Sequence, residues 1–291
     1  MSFDKNSWCI LSPIEQSIKR KIEAVGVPLK DWNISINYGI KTGCNEAFII
    51  DGATKDSLIA QDPKSAEIIR PILRGRDIKR YSYEFADKWL IYVPWHFPLH
   101  KDTSITGASK EAEHEFEKQY PAIYNRLLSY KPILEKRNKA ETGIRYEWYA
   151  LQRCAATYMD DFSKPKIAWA SVGETFYSKI DKNQFLLDTN YFFATQEPYY
   201  LLGILNSKLI TFWINSEDTP IGSGGAYRHY KYNLEKLAIP ILDEKDKLYI
   251  EDLVETILES KSNSLQKEID TFVYKIFNLS KEEIDFVEQR I

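Results

Sequence analysis

The chain has 291 residues, of which 44% are hydrophobic and 28% are charged, as is typical of a soluble globular protein. No apolar run approaches the roughly 18 residues that a membrane helix needs, and no signal-peptide core is visible, so we expect a cytoplasmic protein. Cys9, Cys44 and Cys154 form no CxxC pair, which argues against a structural zinc site.

The formal net charge of −3 hides an uneven distribution of charge along the chain. Residues 243–291 hold 13 acidic and 7 basic side chains, so the preceding residues carry a net charge of +3. Within those, residues 70–80 and residues 124–153 each have a net charge of +4. Because local clusters matter more to binding than the total, the net charge does not exclude a nucleic-acid partner.

The first part of the chain predicts a mixture of helices and strands. Apolar residues at helical spacing predict a helix over residues 13–25. Residues 32–40 alternate like a strand, and residues 48–51 predict the returning strand of a hairpin with Gly39 and Gly43 in its turn. Further predicted elements are a short helix within 64–74, a buried strand over 87–95 and charged helices over 108–140.

The second part predicts three strands, one of them the short segment 192–195, and a set of helices. A strand is expected over residues 165–173, an amphipathic helix over 198–216 and a last strand over 234–241. The tail is expected to be helical, with Ser280 and Glu283 forming a capping box. The fold class predicted is α+β, with a mixed sheet and a C-terminal helical appendage.

Two glycines flank Lys41 and Thr42 in "GIKTGCNEAFIID", a pattern that suggests a phosphate loop. A P-loop requires GxxxxGK[ST] between a strand and a helix, whereas Lys41-Thr42 precedes the second glycine. The spacing therefore argues against a nucleotide site. It leaves two readings open, a structural turn or a loop that holds a nucleic-acid phosphate.

No catalytic centre or metal site is predicted in this chain. The four histidines include no HExxH motif, and Pro98 prevents a regular helix between His96 and His100. A core or loop role is therefore favoured over metal binding for both. Asp243-Glu244-Lys245 resembles a fragment of a nuclease motif, but it lies in a solvated acidic stretch.

Three segments interleave basic and aromatic residues, a pattern that favours nucleic-acid binding: "RGRDIKRY", "GIRYEWYALQR" and "GSGGAYRHYK". Lysine and arginine neutralise phosphates, and arginine and glutamine recognise base edges. The predicted phosphate contacts are Lys41, Thr42, Arg74, Arg76 and Lys79. The predicted base-side contacts are Arg145, Trp148, Gln152, Arg153, Arg228 and His229.

The order of several segments resembles the C-terminal specificity region of TaqI-type adenine-specific DNA methyltransferases, including type IIG restriction-modification enzymes. The resemblance covers roughly residues 8–291. The segments that carry it are "GIKTGCNEAFIID", "IIRPILRGRDIKRY", "WLIYVPW", "KPKIAWASVGETF", "LDTNYFFAT", "YYLLGILNSKLITFWI", "YNLEKLAIPI" and "LQKEIDTFVYKIFNLSKEEIDFVE". A more distant resemblance is to the recognition domains of type I specificity subunits.

The resemblance implies a DNA target recognition domain over residues 1–242 and a helical segment over 243–291 that packs on it or on a partner. The family's catalytic hallmark, an Asn/Asp-Pro-Pro-aromatic tetrapeptide that holds the flipped adenine, has no counterpart, because the chain contains no Pro-Pro pair. S-adenosylmethionine is therefore expected only on a separate catalytic domain, in cis or in trans. We also expect this chain to be a piece of a longer one.

Three alternatives remain open from the sequence. The chain could be a nuclease with an unrecognised site, which predicts metal-dependent cleavage. It could be a protein-interaction subunit, which predicts no salt-dependent DNA binding. It could also bind single strands, because tyrosine and tryptophan in basic loops suit base stacking.

Overall fold

Helix α1 (Pro13–Val25) begins where the sequence has a capping box. In the computed structural model, which describes residues 11–137, 146–180, 184–260 and 263–291, the backbone N–H of Ser12 donates to the Glu15 carboxylate at 2.7 Å. The Ser12 hydroxyl in turn accepts from the backbone N–H of Glu15 at 3.4 Å. The predicted helix over residues 13–25 is confirmed, and it buries Ile18 and Ile22.

The remaining elements follow in chain order. The other helices are α2 (Asn45–Phe48), α3 (Gly52–Gln61), α4 (Lys110–Gln119), α5 (Pro121–Leu128), α6 (Lys131–Leu134), α7 (Pro198–Leu205), α8 (Lys208–Glu217), α9 (Lys231–Lys236), α10 (Glu244–Ser260), α11 (Gln266–Ile276) and α12 (Lys281–Glu288). The strands are β1 (Gly26–Pro28), β2 (Asn37–Tyr38), β3 (Ile49–Asp51), β4 (Ile69–Leu73), β5 (Lys88–Ile91), β6 (Lys166–Ala170), β7 (Val172–Gly173), β8 (Ser178–Ile180), β9 (Phe185–Leu186), β10 (Asn190–Ala194), β11 (Thr219–Ile221), β12 (Ala226–Arg228) and β13 (Ala238–Pro240).

The central sheet has the strand order β2-β10-β6-β8 and lies between two hydrophobic cores. Successive side chains of a strand point to opposite faces. On β10, Phe192 therefore enters the first core and Phe193 the second. On β6, Ala168 faces the first core, whereas Ile167 and Trp169 face the second. The sheet is apolar on both faces, so polar residues can reach solvent only at its ends and edges.

The first core is surrounded by a second sheet, of order β3-β5-β4-β9, and by helices α2 to α6. Aromatic rings fill the space between the two sheets. The ring of Phe162 lies 4.9 Å from that of Phe185 and 4.6 Å from that of Phe192. The parallel pair β4·β9 and the antiparallel remainder make this sheet mixed, in agreement with the predicted α+β class.

The second core joins α1, α7 and α8 to the helices of the C-terminal tail. Helices α7 and α10 pack closely because Gly203 has no side chain. A Cβ at Gly203 would lie 2.6 Å from Ile250 Cγ2 and 3.0 Å from Val254 Cγ2. The segment 243–291 therefore packs on the rest of the chain, while the domain boundary at residue 242 stays a prediction.

The hairpin predicted over residues 32–51 is wrong. Strand β2 pairs with β10 in the central sheet, and β3 pairs with β5 in the second sheet. Between them, residues 45–48 form helix α2, which buries Ala47 and Phe48 in the first core. Burial of these apolar side chains separates two strands that are adjacent in sequence.

Two predicted helices also differ from the structure. Residues 63–68 form a 3-10 turn, and Ile69–Leu73 then form strand β4, in which Ile72 and Leu73 are fully buried. The predicted helix over 198–216 is two helices, α7 and α8. The break is at Asn206, whose side-chain amide exchanges two hydrogen bonds with the backbone of Tyr177, at 2.9 and 3.0 Å.

The capping box of Ser280 and Glu283 is confirmed at the start of α12. The strand predicted over 87–95 is confirmed as β5, and the helices over 108–140 as α4 to α6 within the described range. Throughout the described ranges, every helix is too short or too polar to cross a membrane.

Candidate nucleic-acid interface

One end of the central sheet gathers loops from distant parts of the sequence. Strand β6 ends at Ala170, and the antiparallel register pairs Ala170 with Asn190, where β10 begins. Strand β2 ends at the same level, because Tyr38 pairs with Tyr191. We call this end the loop end; it comprises residues 38–42, 74–80, 153, 171–177, 189–191 and 226–229.

The middle of the loop end is held together by three hydrogen bonds around Thr189. The backbone N–H of Gly75 donates to Thr189 Oγ1 at 2.9 Å, and the backbone N–H of Ser171 donates to Thr189 O at 2.8 Å. The backbone N–H of His229 donates to Ser171 O at 3.0 Å. The basic run after β4 is therefore linked through Thr189 and Ser171 to His229, at the end of β12.

The β2 edge of the loop end carries Lys41 and Arg153. Their backbones form an antiparallel bridge, with N–H to O distances of 3.1 Å from Lys41 to Arg153 and 2.9 Å in the reverse direction. The Arg153 guanidinium lies over the ring of Tyr38, 5.2 Å from its centroid. Two predicted contacts that are 112 positions apart in sequence are thus neighbours here.

The β8 edge carries Lys79 and Arg80. The backbone N–H of Tyr81 donates to Tyr177 O at 3.0 Å, which fixes this turn beside the start of β8. Arg80 lies over the ring of Phe176 at 5.0 Å. Lys79, whose side chain is 43% exposed, lies 3.9 Å from the exposed carboxylate of Glu84. This distant surface pair leaves the ammonium group largely in solvent.

Basic residues thus follow the loop end from one edge strand to the other. Four strands spaced by roughly 4.8 Å give a width of about 14 Å between the outer strands. The major groove of B-DNA is about 12 Å wide. The backbone of the loop end is therefore about as wide as the major groove.

The arginines of the loop end differ in how free their guanidinium groups are to bind a ligand. Arg74 Nη2 lies 2.7 Å from Asp77 Oδ1 and Arg74 Nε lies 2.9 Å from Asp77 Oδ2. These hydrogen bonds raise the pKa of Arg74 and occupy its guanidinium. Arg76 and Arg228 are both exposed. Across the described ranges, neither has a side-chain hydrogen bond or ion pair.

Three of the predicted contact residues have buried side chains: Thr42, Gln152 and His229, with exposed fractions of 3%, 4% and 3%. The Thr42 hydroxyl donates to Asn45 Oδ1 at 2.7 Å and accepts from the backbone N–H of Cys44 at 3.2 Å. The three side chains therefore lie below the surface, where they stabilise the conformation of the loops that carry them. Their assignment as direct DNA contacts stays a prediction that would require the loops to open.

The side chain of Trp148 makes its described contacts away from the loop end. Trp148 lies in the helical part of the first core, where its Nε1 donates to Glu113 Oε1 at 2.6 Å and Lys131 lies over its ring at 4.7 Å. Arg145 lies outside the described residues. Both predictions stay untested as contacts.

One basic residue counted in the charge of residues 124–153 is buried. Arg137 is 9% exposed, and its guanidinium donates to the backbone oxygens of Leu134, Thr42 and Trp148. Burial lowers the pKa of Arg137, although arginine remains charged in proteins. Arg137 therefore fixes the Lys41-Thr42 loop to the segment that leads to Arg153.

Tyr38 is a candidate contact that the sequence alone did not indicate. Its side chain is 40% exposed on an edge strand, and its ring lies 5.0 Å from that of Tyr191 and beneath Arg153. The alternating pattern of residues 32–40 predicts a strand but not which face meets solvent. Tyr38 lies next to Arg153 because the Lys41·Arg153 bridge brings the two segments together, and this long-range contact cannot be read from the sequence.

His96 has a structural partner in place of a metal. Its Nδ1 lies 3.0 Å from Glu147 Oε1, and the other Glu147 oxygen accepts from the His96 backbone N–H at 2.8 Å. Glu147 is 2% exposed and also accepts from the Ser109 backbone N–H at 2.9 Å. In the described part of the chain, no three His, Cys, Asp or Glu side chains converge as metal ligands would.

Two methyltransferases are similar to this chain in sequence. The type II methyltransferase M.MjaIV of Methanocaldococcus jannaschii is 22% identical over 263 residues, which cover 87% of this chain and 81% of that protein. The type II methyltransferase M.BstVI of Geobacillus stearothermophilus is 21% identical over an alignment of 296 positions, which covers 98% of this chain but 46% of that protein.

Two solved structures share the fold. The type IIL restriction-modification enzyme MmeI, solved in complex with DNA, superposes with a TM-score of 0.58 at 15% identity and covers 91% of this chain. The type IIG restriction endonuclease BpuSI gives a TM-score of 0.50 at 11% identity and covers 93% of this chain. This chain spans 36% and 32% of those two chains.

The family is shown by a match over the middle of the chain. The sequence profile of the TaqI-like C-terminal specificity domain matches residues 70–241, which is more than half of the 291 residues. This range contains the basic run, the central sheet from β6 onward, and the segment with Arg228. The chain belongs to the family of TaqI-like C-terminal specificity domains, which are parts of restriction-modification enzymes.

Proposed function

We propose that this chain is the module of a restriction-modification adenine methyltransferase that recognises a specific sequence in double-stranded DNA. The observation that carries the proposal is the loop end, where the fold assembles basic residues from separate segments into one row. The relatives are type II methyltransferases, and MmeI was solved in complex with DNA. Both facts support a DNA partner for this surface.

In this proposal, methyl transfer belongs to another domain, attached in cis or acting in trans. That catalytic domain binds S-adenosylmethionine, and this chain holds the duplex in register while the adenine is extracted. M.BstVI and the two solved chains are each more than twice as long as their matched parts, which leaves room for such a domain.

The two kinds of contact divide along the loop end. Lys41, Arg76 and Lys79 are assigned to phosphates, which fix register without distinguishing sequences. Arg228 and Arg153 are assigned to base edges, because a guanidinium can form paired hydrogen bonds with guanine. Arg74 contributes less, since Asp77 already occupies its guanidinium.

Replacing Arg76 with alanine is expected to weaken binding to all duplexes alike. Loss of one phosphate contact reduces the magnitude of the slope of log K against log salt by about 0.9. Binding to duplex DNA between low and moderate salt measures this slope. Lys245→Ala makes the same change of charge at an exposed site on α10 and is expected to leave the slope unchanged. An unaltered slope for Arg76→Ala would remove the basic run from the interface.

Replacing Arg228 with alanine is expected to relax base preference at one position of the target. The expected loss of discrimination is about 1–3 kcal/mol, because one paired hydrogen bond to a base edge is removed. Selection of the wild-type protein and the variant on a randomised duplex pool, followed by sequencing, gives the two preference profiles. Arg20→Ala, an exposed arginine on α1, is the matched control. Identical profiles for Arg228→Ala and wild type would contradict the assignment.

Binding of the wild-type chain to duplexes and to single strands over a range of salt separates two of the other interpretations. A duplex affinity that does not change with salt, or no duplex binding at low salt, would favour a protein-interaction subunit. Stronger binding to single strands than to duplexes would favour the stacking reading, in which exposed rings such as Tyr38 contact unpaired bases.

A further inference from the structure

Strands β11 and β12 form a ribbon, and β12, the inner strand of the two, also pairs with β7. The register pairs Thr219 with Arg228, and Arg228 in turn pairs with Val172 of β7. The tip, residues 222–225, is Gly-Ser-Gly-Gly and is exposed. A Cβ at Gly222, Gly224 or Gly225 would meet no atom within 4 Å. The tip therefore has no packing that could fix the position of the ribbon.

The base of the ribbon has such packing, in a buried cluster of polar side chains. Asp218 immediately precedes β11 and His229 immediately follows β12, so they are the next pair along the ladder. Asp218 Oδ2 lies 2.7 Å from His229 Nδ1, and Asp218 Oδ1 accepts from Asn233 Nδ2 at 2.8 Å. The side chains of His229 and Asp218 are 3% and 0% exposed.

The cluster also joins the ribbon to the two helices that flank it. Asn233, on α9, donates to the backbone oxygen of Glu217 at 2.8 Å, at the end of α8. The Tyr230 backbone N–H donates to Asp218 Oδ1 at 3.3 Å. Hydrogen bonds in a water-excluded site are stronger and more directional than in water. We call the side chains of Asp218, His229 and Asn233 the ribbon lock.

The ribbon lock adjoins the residue that is assigned to base recognition. Arg228 is the direct neighbour of His229, so the lock sets where the Arg228 backbone lies relative to β7. The pairing of β12 with β7 covers only two residue pairs, and so short a sheet is marginally stable. Without a fixed base, the ribbon would shift in register or angle. A base contact tolerates a displacement of only about 0.5 Å.

We propose that Asp218, His229 and Asn233 are positioning residues, which hold the ribbon so that Arg228 meets one base pair of the target. This inference rests on the proposed function. It adds that buried residues, which touch no DNA, determine the discrimination at one position. It also assigns a role to His229 that differs from direct base contact.

The test uses Asp218→Asn, which keeps the shape of the side chain but replaces one acceptor oxygen with a donor amide. Binding is measured against the preferred duplex and against duplexes changed at one position each, over a range of salt. The expected result is a loss of discrimination of about 5- to 150-fold at the position that depends on Arg228, with an unchanged salt slope.

A double variant distinguishes positioning from a general loss of stability. If the lock acts through Arg228, Asp218→Asn combined with Arg228→Ala loses no more discrimination than Arg228→Ala alone. Asn233→Ala removes one donor to Asp218 and gives a second test should Asp218→Asn fail to fold. Thermal unfolding of each variant confirms that folded protein is compared.

Two results would overturn the inference while leaving the proposed function intact. One is full discrimination in folded Asp218→Asn and Asn233→Ala variants. The other is a loss that does not act through Arg228, seen either as an equal loss at every position of the target or as a loss that adds to that of Arg228→Ala. A wild-type chain that binds duplexes without base preference, or not at all, would instead refute the proposed function and the inference with it.

Discussion

Replacing Gly39 with alanine is expected to lower the free energy of unfolding by about 3 kcal/mol or more. A Cβ at Gly39 would lie 2.0 Å from Leu187 O and 2.5 Å from Leu186 O, so the backbone of one segment must move. The contact lies where the Gly39 N–H donates to Asn190 O and the Ile40 N–H donates to Leu186 O. The added Cβ therefore pushes residues 39–40 away from residues 186–187, where the two large sheets are joined.

Chemical denaturation of the variant, followed by tryptophan fluorescence, measures this loss. Gly224→Ala is the matched control, because nothing lies within 4 Å of its Cβ position and it is exposed. Its free energy of unfolding is expected to change by no more than about 0.5 kcal/mol, as is usual for surface substitutions. Equal midpoints for the two variants would show that Gly39 does not make this close contact.

Replacing Arg137 with lysine is expected to cost about 2–4 kcal/mol of stability and to reduce DNA affinity as well. A lysine keeps the charge but cannot reach the backbone oxygens of Thr42, Leu134 and Trp148 together, since its single ammonium lacks the planar guanidinium fork. Buried carbonyl groups are then left without donors. The Lys41-Thr42 loop also loses its connection to the segment that leads to Arg153, and DNA affinity falls because both Lys41 and Arg153 are assigned to DNA contacts.

Thermal unfolding and duplex binding measure the two effects of Arg137→Lys. Lys136→Arg, at the neighbouring exposed position, is the control and should change neither. If Arg137 contacted phosphates itself, Arg137→Lys would retain stability and most of the affinity. That outcome would contradict its assignment as a structural residue.

The sequence predicted most single elements, because local signals decide them. The apolar spacing of residues 13–25 and the capping box at Ser280 predict helices that form as expected. Predictions from the sequence were wrong where pairing with a segment distant in the chain determined the structure. Residues 48–51 looked like the second strand of a hairpin, but β3 pairs with β5, some forty residues later in the chain. A periodic pattern indicates a strand without naming its neighbour.

The candidate site shows the same division. The order of the segments pointed to the specificity-domain family that the profile match shows, whereas the DNA contacts assigned to the basic runs stay predictions. Counting charges could not distinguish Arg76 and Arg228, which are exposed, from Arg137, which is buried. Nor could it show that His229 is enclosed with Asp218 while its neighbour Arg228 lies in solvent.

By itself, the sequence determined the α+β class, the family and the segments that carry positive charge. These follow from composition, periodicity and the order of motifs, which are properties of neighbouring residues. The tertiary structure alone decided which side chains form one surface. Gly75 meets Thr189 across 114 positions, and Lys41 meets Arg153 across 112. Such contacts depend on the register of the central sheet, which buries apolar residues on both faces and leaves its ends for polar chemistry.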